Sequence, residues 1–214
     1  MKVIDPSVEI LPLIPAEVML KHIEMCGRVC YKSEDKIGDG TAEAFVRHII
    51  ARGHESVLEH CSITARIICD RGVSHELVRH RLASYSQEST RYCNYSKEKF
   101  GNEITVVYPS ALRGKNFVDD RFLMTGWIFA CETAERAYFN MLDEGCTPQE
   151  ARTVLPNSLK TEVMMTANIR EWRHILRLRT SPAAHPDMRY IMDMLYDQLV
   201  AYAPVLFEDV KEVR

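Results

Sequence analysis

The chain has 214 residues, of which 46% are apolar and 27% charged, the profile of a globular protein near the upper size of one ordinary domain and short for two. Nine Gly and nine Pro are too few for a disordered or fibrous chain, and a formal net charge of −3 gives no bulk attraction to nucleic acid or to a membrane surface. No internal repeat, low-complexity tract or Gly/Ser/Pro-rich linker interrupts the chain, so residues 1–214 are expected to form a single domain.

The segment Ala16 to Cys26 has helical spacing, with Val18, Leu20, Ile23 and Met25 set among polar residues. Thr41 is the expected N-cap of a second helix reaching about Arg52 and stopped by Gly53. Ser62 to Cys69 alternates and is rich in β-branched residues, which predicts a strand. Asp70-Arg71-Gly72 reads as a turn, and Ser74 as the cap of a helix from His75 to about Ala83. A short strand from Ile104 to Tyr108 is closed by Pro109, and a long helix from Asp119 to Glu144 is ended by Gly145. Thr147-Pro148-Gln149-Glu150 is a helix start, with an N-cap, Pro at the first helical position and then acid; that helix ends before Pro156. Glu162 to Asn168 is a strand, and Arg170 to Leu178 and Pro186 to Ala203 are helices. Helices with a few short strands outside strict βαβ alternation predict an α+β fold, with a small antiparallel sheet flanked by helices.

The basic residues divide into 18 Arg and 9 Lys. Arg is the side chain for bidentate grips on phosphate and carboxylate, and here it is concentrated. No Lys occurs between Lys36 and Lys97, and only Lys160 between Lys115 and Lys211. Three stretches carry the excess. In Arg79-His80-Arg81-Leu82-Ala83-Ser84-Tyr85-Ser86-Gln87-Glu88-Ser89-Thr90-Arg91-Tyr92, the first three residues would splay over about 200° of a helix and so reach more than one ligand or a neighbouring subunit. Ser89-Thr90-Arg91 offers hydroxyls, backbone N–H groups and a guanidinium, a cup for phosphate oxygens. In Asn168-Ile169-Arg170-Glu171-Trp172-Arg173-His174-Ile175-Leu176-Arg177-Leu178-Arg179, Arg170, His174 and Arg177 share one helical stripe. Arg173 and Arg177 repel at i, i+4 and require nearby acids or anions, and Arg179 is expected past the last turn. Arg152 lies on the short helix before Pro156.

Gly53-His54-Glu55-Ser56-Val57-Leu58-Glu59-His60 invites a zinc reading. Its two His are six residues apart rather than four on a helix, so no metal site is expected there. A loop giving His54 and Ser56 to a ligand is the better reading. No phosphate-binding or dinucleotide-binding glycine motif is present, and no G-x-S-x-G. The seven Cys are scattered, with no C-x-x-C pair, which predicts reduced thiols in a cytoplasmic protein. No apolar run approaches the length of a membrane span, and MKVIDPSVEI carries acids and Pro where a secretory signal needs an apolar stretch.

Arg79-His80-Arg81, followed after seven residues by Ser89, resembles the signature of the flavin-dependent thymidylate synthases. The resemblance is colinear over roughly residues 25 to 190. It takes in Gly53-His54-Glu55, Ser84-Tyr85, Arg91-Tyr92, the Glu150-Ala151-Arg152 to Leu155-Pro156 segment, and Asn168-x-Arg170 with Leu178-Arg179. It implies the thymidylate synthase-complementing-protein-like fold and methylation of dUMP to dTMP. Methylenetetrahydrofolate would be the carbon donor and NADPH the reductant of a bound FAD. It also implies a homotetramer with FAD at subunit junctions, and no nucleic-acid partner. By position, His54, Ser56, Arg79, His80, Arg81, Gln87, Asn168, Ile169, Arg170 and His174 match the FAD-binding set. Glu76, Leu77, Val78, Arg79 and Gln87, Glu88, Ser89, Thr90, Arg91 match the dUMP-binding set, together with Arg152 and Arg179. Arg179 matches the residue that favours N3-ionised uracil, where a guanidinium stabilises the charge of the activated ring.

There are departures from the pattern. Glu76 stands where some members have Gln, His174 where some have Asn, and Thr90 where the loop has Gly. No Pro-Cys-His occurs, so the nucleophile of the cysteine-dependent thymidylate synthases is not evident, and Ser89 is assigned to binding rather than attack. The alternative from another class is a nucleotide-binding regulatory protein that uses the same Arg loops without turnover.

Overall fold

The computed structural model describes residues 1–112 and 117–211; the expected start of the long helix near Asp119 lies at side chains outside those described. The elements in chain order are strands β1 (Lys2–Ile4) and β2 (Ser7–Leu11), helices α1 (Ala16–Val29) and α2 (Thr41–Ala51), strand β3 (Ser62–Asp70), helix α3 (Arg71–Leu77), and strands β4 (Ala83–Gln87) and β5 (Thr105–Val107). Helices α4 (Phe117–Asp143) and α5 (Pro148–Ala151), strand β6 (Lys160–Asn168) and helices α6 (Ile169–Arg179), α7 (Pro186–Tyr202) and α8 (Pro204–Phe207) complete the chain. The fold is α+β, with a four-stranded sheet of order β2-β3-β6-β4 and a parallel two-stranded pair, β1 with β5.

The chain divides into two compact units. One comprises Met1–Ser7, Ile67–Arg79 and Ser86–Val163; the other comprises Val8–Arg66, His80–Tyr85 and Met164–Arg214. The first unit has a core of Tyr95, Ile104, Val106, Cys131, Tyr138, Ala151 and Leu159. Its α5 begins as the sequence predicts: Pro148 holds the first helical position, and the Glu150 carboxylate accepts from the Thr147 amide at 2.8 Å.

In the second unit α1 packs on α2, and α6 packs on the 3₁₀ turn Glu55–His60 and on α7. Gly27 permits the α1–α2 approach, since a Cβ there would lie 2.5 Å from the Phe45 ring. Here the Ile169 amide donates to the Cys61 carbonyl at 3.0 Å, and the Thr64 and Thr166 hydroxyls meet at 2.8 Å. One residue number rises by three as the other falls by three, which is antiparallel pairing of β3 with β6. On β3 the odd-numbered Ile63, Ala65, Ile67 and Cys69 are buried, the period-2 pattern read from the sequence. At the end of β6 the Asn168 carboxamide accepts from the Glu171 amide at 2.8 Å and starts α6. Ile169, Trp172, Ile175 and Leu176 then form its buried stripe, and the Trp172 indole donates to the Ile63 carbonyl at 2.9 Å.

Four expectations need correction. Helix α3 starts at Arg71, because the Asp70 carboxylate accepts from the Val73 amide and caps it; Asp70-Arg71-Gly72 is a helix start, and Ser74 lies inside the helix. The segment 83–87 is strand β4, so Arg79, His80 and Arg81 occupy the connection after α3 rather than a helix. The N-cap of α2 is Gly40, at φ 76°, not Thr41; a left-handed residue there favours Gly. Arg179 is the last residue of α6, not a residue beyond it.

Candidate active site: two clusters of cationic side chains

In the second unit, the connection after α3 and the helix α6 bring together His80, Glu171, His174 and Arg179. His80 is 6% exposed and Glu171 8%. The Arg179 Nε–H donates to His80 Nε2 at 3.0 Å, and a Glu171 carboxylate oxygen lies 3.8 Å from His80 Nδ1. The His174 ring stands edge-on to His80, with centroids 6.3 Å apart, and the Tyr85 hydroxyl donates to the His80 carbonyl at 2.7 Å. Burial, reinforced by the Arg179 charge and by His174, lowers the His80 pKa to about 4, so the ring is neutral near pH 7. A guanidinium can only donate; the 3.0 Å contact therefore places the lone pair on Nε2 and the proton on Nδ1. His80, Glu171 and His174 each offer a ligand atom, all within 4.8 Å of one another. The Arg179 charge on His80 opposes a cation at that cluster.

The same unit holds a cleft of about 350 Å³ whose lining includes His54, Ser56, Arg170, Tyr31 and Phe45. His54 and Ser56 are both exposed there, and the Tyr31 hydroxyl and His54 Nδ1 are 3.3 Å apart. Arg170 is paired with Glu59 at 2.5 Å; both side chains are about half exposed, so water screens the pair and an incoming anion can replace it. Arg170, His174 and Arg177 share one stripe, as expected, and all three are exposed. The repulsion of Arg173 and Arg177 is relieved as anticipated: Glu55 and Asp209 touch both.

The first unit holds the residues expected for the nucleotide other than Arg179. A cleft of about 240 Å³ is lined by Arg71, His75, Thr90 and Arg152, among others, with no carboxylate in its lining. Thr90 is buried, and its hydroxyl accepts from Arg152 at 3.4 Å. Arg71 donates to the Glu88 carbonyl at 3.2 Å and so braces the loop before Ser89. Arg91 is exposed, with its Nε–H on the Gln149 carbonyl oxygen at 2.8 Å, and the Ser89 hydroxyl accepts from the Arg91 amide at 3.3 Å.

The other expected contacts divide by surroundings. Gln87 spends its amide on Ser74 and Thr161, at 2.9 and 3.2 Å, Glu88 binds Lys160 at 2.7 Å, and Leu77 is wholly buried. Val78 and Arg79 are exposed and Glu76 is partly exposed. In the second unit Arg81 is exposed, the Ile169 side chain is wholly buried, and the Asn168 carboxamide is engaged as the α6 cap. Sequence reasoning passed over Glu171, Arg71 and His75. The alternation of β6 running into an Asn cap fixes the phase of α6, and so could have turned Glu171 inward. For Arg71 and His75 the signal was the Asp70 cap.

Comparison with known proteins follows this geometry. Residues 16–205 match the profile of a family described as "Thymidylate synthase complementing protein". A flavin-dependent thymidylate synthase of Mycolicibacterium gilvum is 37% identical over 205 residues, covering 87% of this chain and 78% of that one. Another, of Geobacter sulfurreducens, is 34% identical over 194 residues, covering 87% and 80%. A solved structure of the UMP/dUMP methylase PolB from Streptomyces cacaoi, bound with 5-Br dUMP, superposes with a TM-score of 0.81 at 24% identity, over 97% of this chain and 96% of that one. At that identity the likeness establishes the fold.

Proposed function

The chain belongs to the thymidylate synthase complementing protein family, the flavin-dependent thymidylate synthases, and from that premise we propose that it methylates dUMP to dTMP. Methylenetetrahydrofolate supplies the carbon and NADPH the electrons. The observation that carries this reading is the joint presence of a carboxylate-free cationic cleft holding Thr90 and Arg152 and a guanidinium, Arg179, aimed by a buried neutral His80.

In this reading Arg91, Arg152, Ser89 and Thr90 hold the nucleotide phosphate, because guanidinium forks and hydroxyls match its oxygens. Arg179 of the second unit is the residue proposed to serve the uracil ring. Carbon 5 of uracil is a poor nucleophile, and a fixed positive charge beside the ring stabilises the N3-ionised, enolate-like form that attacks. No thiol is needed for activation. Burial pushes the Cys61, Cys69, Cys93 and Cys131 thiols up, which disfavours the thiolate that nucleophilic attack requires.

The residues fit a flavin. The aromatic walls of the second unit's cleft suit a ring system, His54 and Ser56 give it polar contacts, and Arg170 faces an anion through an exchangeable ion pair. Arg79, His80, Arg81, Asn168, Ile169 and His174 complete the set proposed to hold FAD, which when bound supplies the reducing electrons. Glu76, Leu77, Val78, Gln87 and Glu88 are proposed to border dUMP, with Gln87 and Leu77 acting through backbone atoms because their side chains are engaged or buried. Residues 1–214 are read as one functional domain, assembled as a cytoplasmic homotetramer. No helix among the described residues is long and apolar enough to cross a membrane. The purified protein should be yellow, and anaerobic NADPH should bleach it; protein that stays colourless after incubation with FAD refutes the reading.

A further inference from the structure

We propose that Glu171 is a positioning residue for Arg179, acting through His80. The inference rests on the reading that Arg179 serves the pyrimidine. Three side chains of the second unit form a row: the Glu171 carboxylate, 3.8 Å to His80 Nδ1, and His80 Nε2, 3.0 Å from the Arg179 Nε–H. The middle member decides whether the row holds. With its proton on Nδ1, the imidazole presents N–H to the carboxylate and a lone pair to the guanidinium, so both neighbours are attracted. With its proton on Nε2, a lone pair faces the carboxylate, an N–H meets the Arg179 N–H, and both neighbours are repelled. At 3.8 Å the carboxylate lies beyond hydrogen-bond distance of Nδ1 and acts through its charge, and in this buried place that preference is stronger than in water.

Glu171 is well placed for this task. Its amide is fixed by the Asn168 cap at 2.8 Å, and His80 is held from the other side by Tyr85 on its carbonyl. Burial keeps His80 neutral, so the row depends on the tautomer: Arg179 requires the lone pair on Nε2, and the Glu171 carboxylate facing Nδ1 favours the same form, so that its loss weakens the hold on Arg179. Fixing the Nε edge of a planar guanidinium also fixes its plane, so Arg179 is oriented before any ligand arrives, and the orientation costs nothing at the moment of reaction.

The test combines ring-nitrogen NMR of histidine-labelled, FAD-loaded protein without substrate and steady-state kinetics on Glu171→Gln, Glu171→Asp, His80→Gln and the double variant Glu171→Gln/His80→Gln. The wild type should show His80 protonated at Nδ1 and bare at Nε2. Glu171→Gln should show a mixture of tautomers, with kcat lower by about tenfold or more, dUMP KM changed by less than about threefold, and normal FAD content. Glu171→Asp should restore the tautomer and most of kcat, and the double variant should be no slower than His80→Gln alone. An unchanged His80 signature in Glu171→Gln overturns the proposal even if kcat falls, and so does an additive double variant. The tautomer is read without turnover. A wild type that carries the tautomer yet makes no dTMP would therefore fail the functional reading and not this one.

Discussion

At the scale of single residues, the two cationic clusters make different demands on their arginines. In the proposed reading Arg179 acts on charge that develops in the ring, so Arg179→Ala should retain FAD and lose about 10²-fold to 10³-fold in kcat, the usual effect of deleting one preorganised electrostatic contact. Flavin absorbance and steady-state kinetics check it; loss of FAD with dUMP binding intact would show that the two ligand assignments are exchanged. Arg91 and Arg152 are proposed to act on charge already present. Arg152→Ala and Arg91→Ala should each weaken dUMP by about tenfold, as expected for a lost charge-assisted hydrogen bond, while binding of unphosphorylated deoxyuridine stays the same. Calorimetry on the two ligands checks this, and an equal loss for both would remove the phosphate assignment. Arg91 must leave Gln149 to make its contact; Gln149→Ala is therefore expected not to weaken dUMP.

At the scale of elements, what was legible depended on whether the signal was local. The alternation of β3, the N-terminal start of α5 and the helical span of α6 are each set by neighbours within a few residues, and each forms where the sequence predicts. Helix α3 was misplaced because two capping residues, Asp70 and Ser74, compete four residues apart. Asp70 wins because its carboxylate reaches the Val73 amide while Ser74 turns inward to the Arg71 carbonyl at 2.9 Å. That shift of phase carried His75 and Arg71 into the first unit's cleft, and it left the signature histidine on a connection where α6 could reach it. Strands β1, β2 and β4 are short and paired with distant partners, so no local pattern marks them. The site was legible as a list of residues through family resemblance, but not as a geometry. Glu171 looked like one more acid among arginines until the Asn168 cap fixed the phase of α6.

The same helix carries a prediction about stability. Arg173 is wholly buried, with Asp209 holding it by two bonds of 2.7 Å and Glu55 at 3.2 Å. It also donates to the Leu206 carbonyl, and so ties the end of α8 to α6. Asp209 is 45% exposed, so removing Arg173 costs its charge-assisted bonds, about 1.5–3 kcal/mol, rather than a stranded buried charge. Arg173→Ala should lower the urea midpoint by a corresponding amount, and Arg173→Met by less, because it refills the volume. A neutral Arg173→Ala would show that the C-terminal anchor contributes nothing.

At the scale of the whole molecule, two sets of groups make stability depend on pH in separable windows. His80 has a folded pKa lowered from 6.5 to about 4, by burial first and then by Arg179 and His174. Between those values the unfolded chain binds a proton that the folded chain refuses, so stability rises with pH across that window and is lost on acidification through it. The full effect is about 3 kcal/mol. Asp209 acts lower. Burial works against its charge, but the Arg173 bond and the Arg173 and Arg177 charges prevail and lower its pKa below 3.8, so its contribution is present above that value and lost as pH falls through the lower folded one. Thermal unfolding followed from pH 7 to pH 4 should fall for the wild type and flatten in His80→Gln; parallel curves would place the acid sensitivity elsewhere.

The composition also gains meaning at this scale. A chain of net charge −3 with twice as much Arg as Lys places part of that Arg in a carboxylate-free cleft and part in a buried structural anchor; the anchor has no part in the proposed ligand contacts.

The central claim is that these clusters activate carbon 5 of dUMP for methylation. It is tested most directly by release of tritium from [5-³H]dUMP, incubated with FAD-loaded protein, methylenetetrahydrofolate and NADPH. The account predicts release in step with dTMP, dependent on both co-substrates and nearly abolished in Arg179→Ala. Protein that binds FAD and dUMP yet releases no tritium would contradict it.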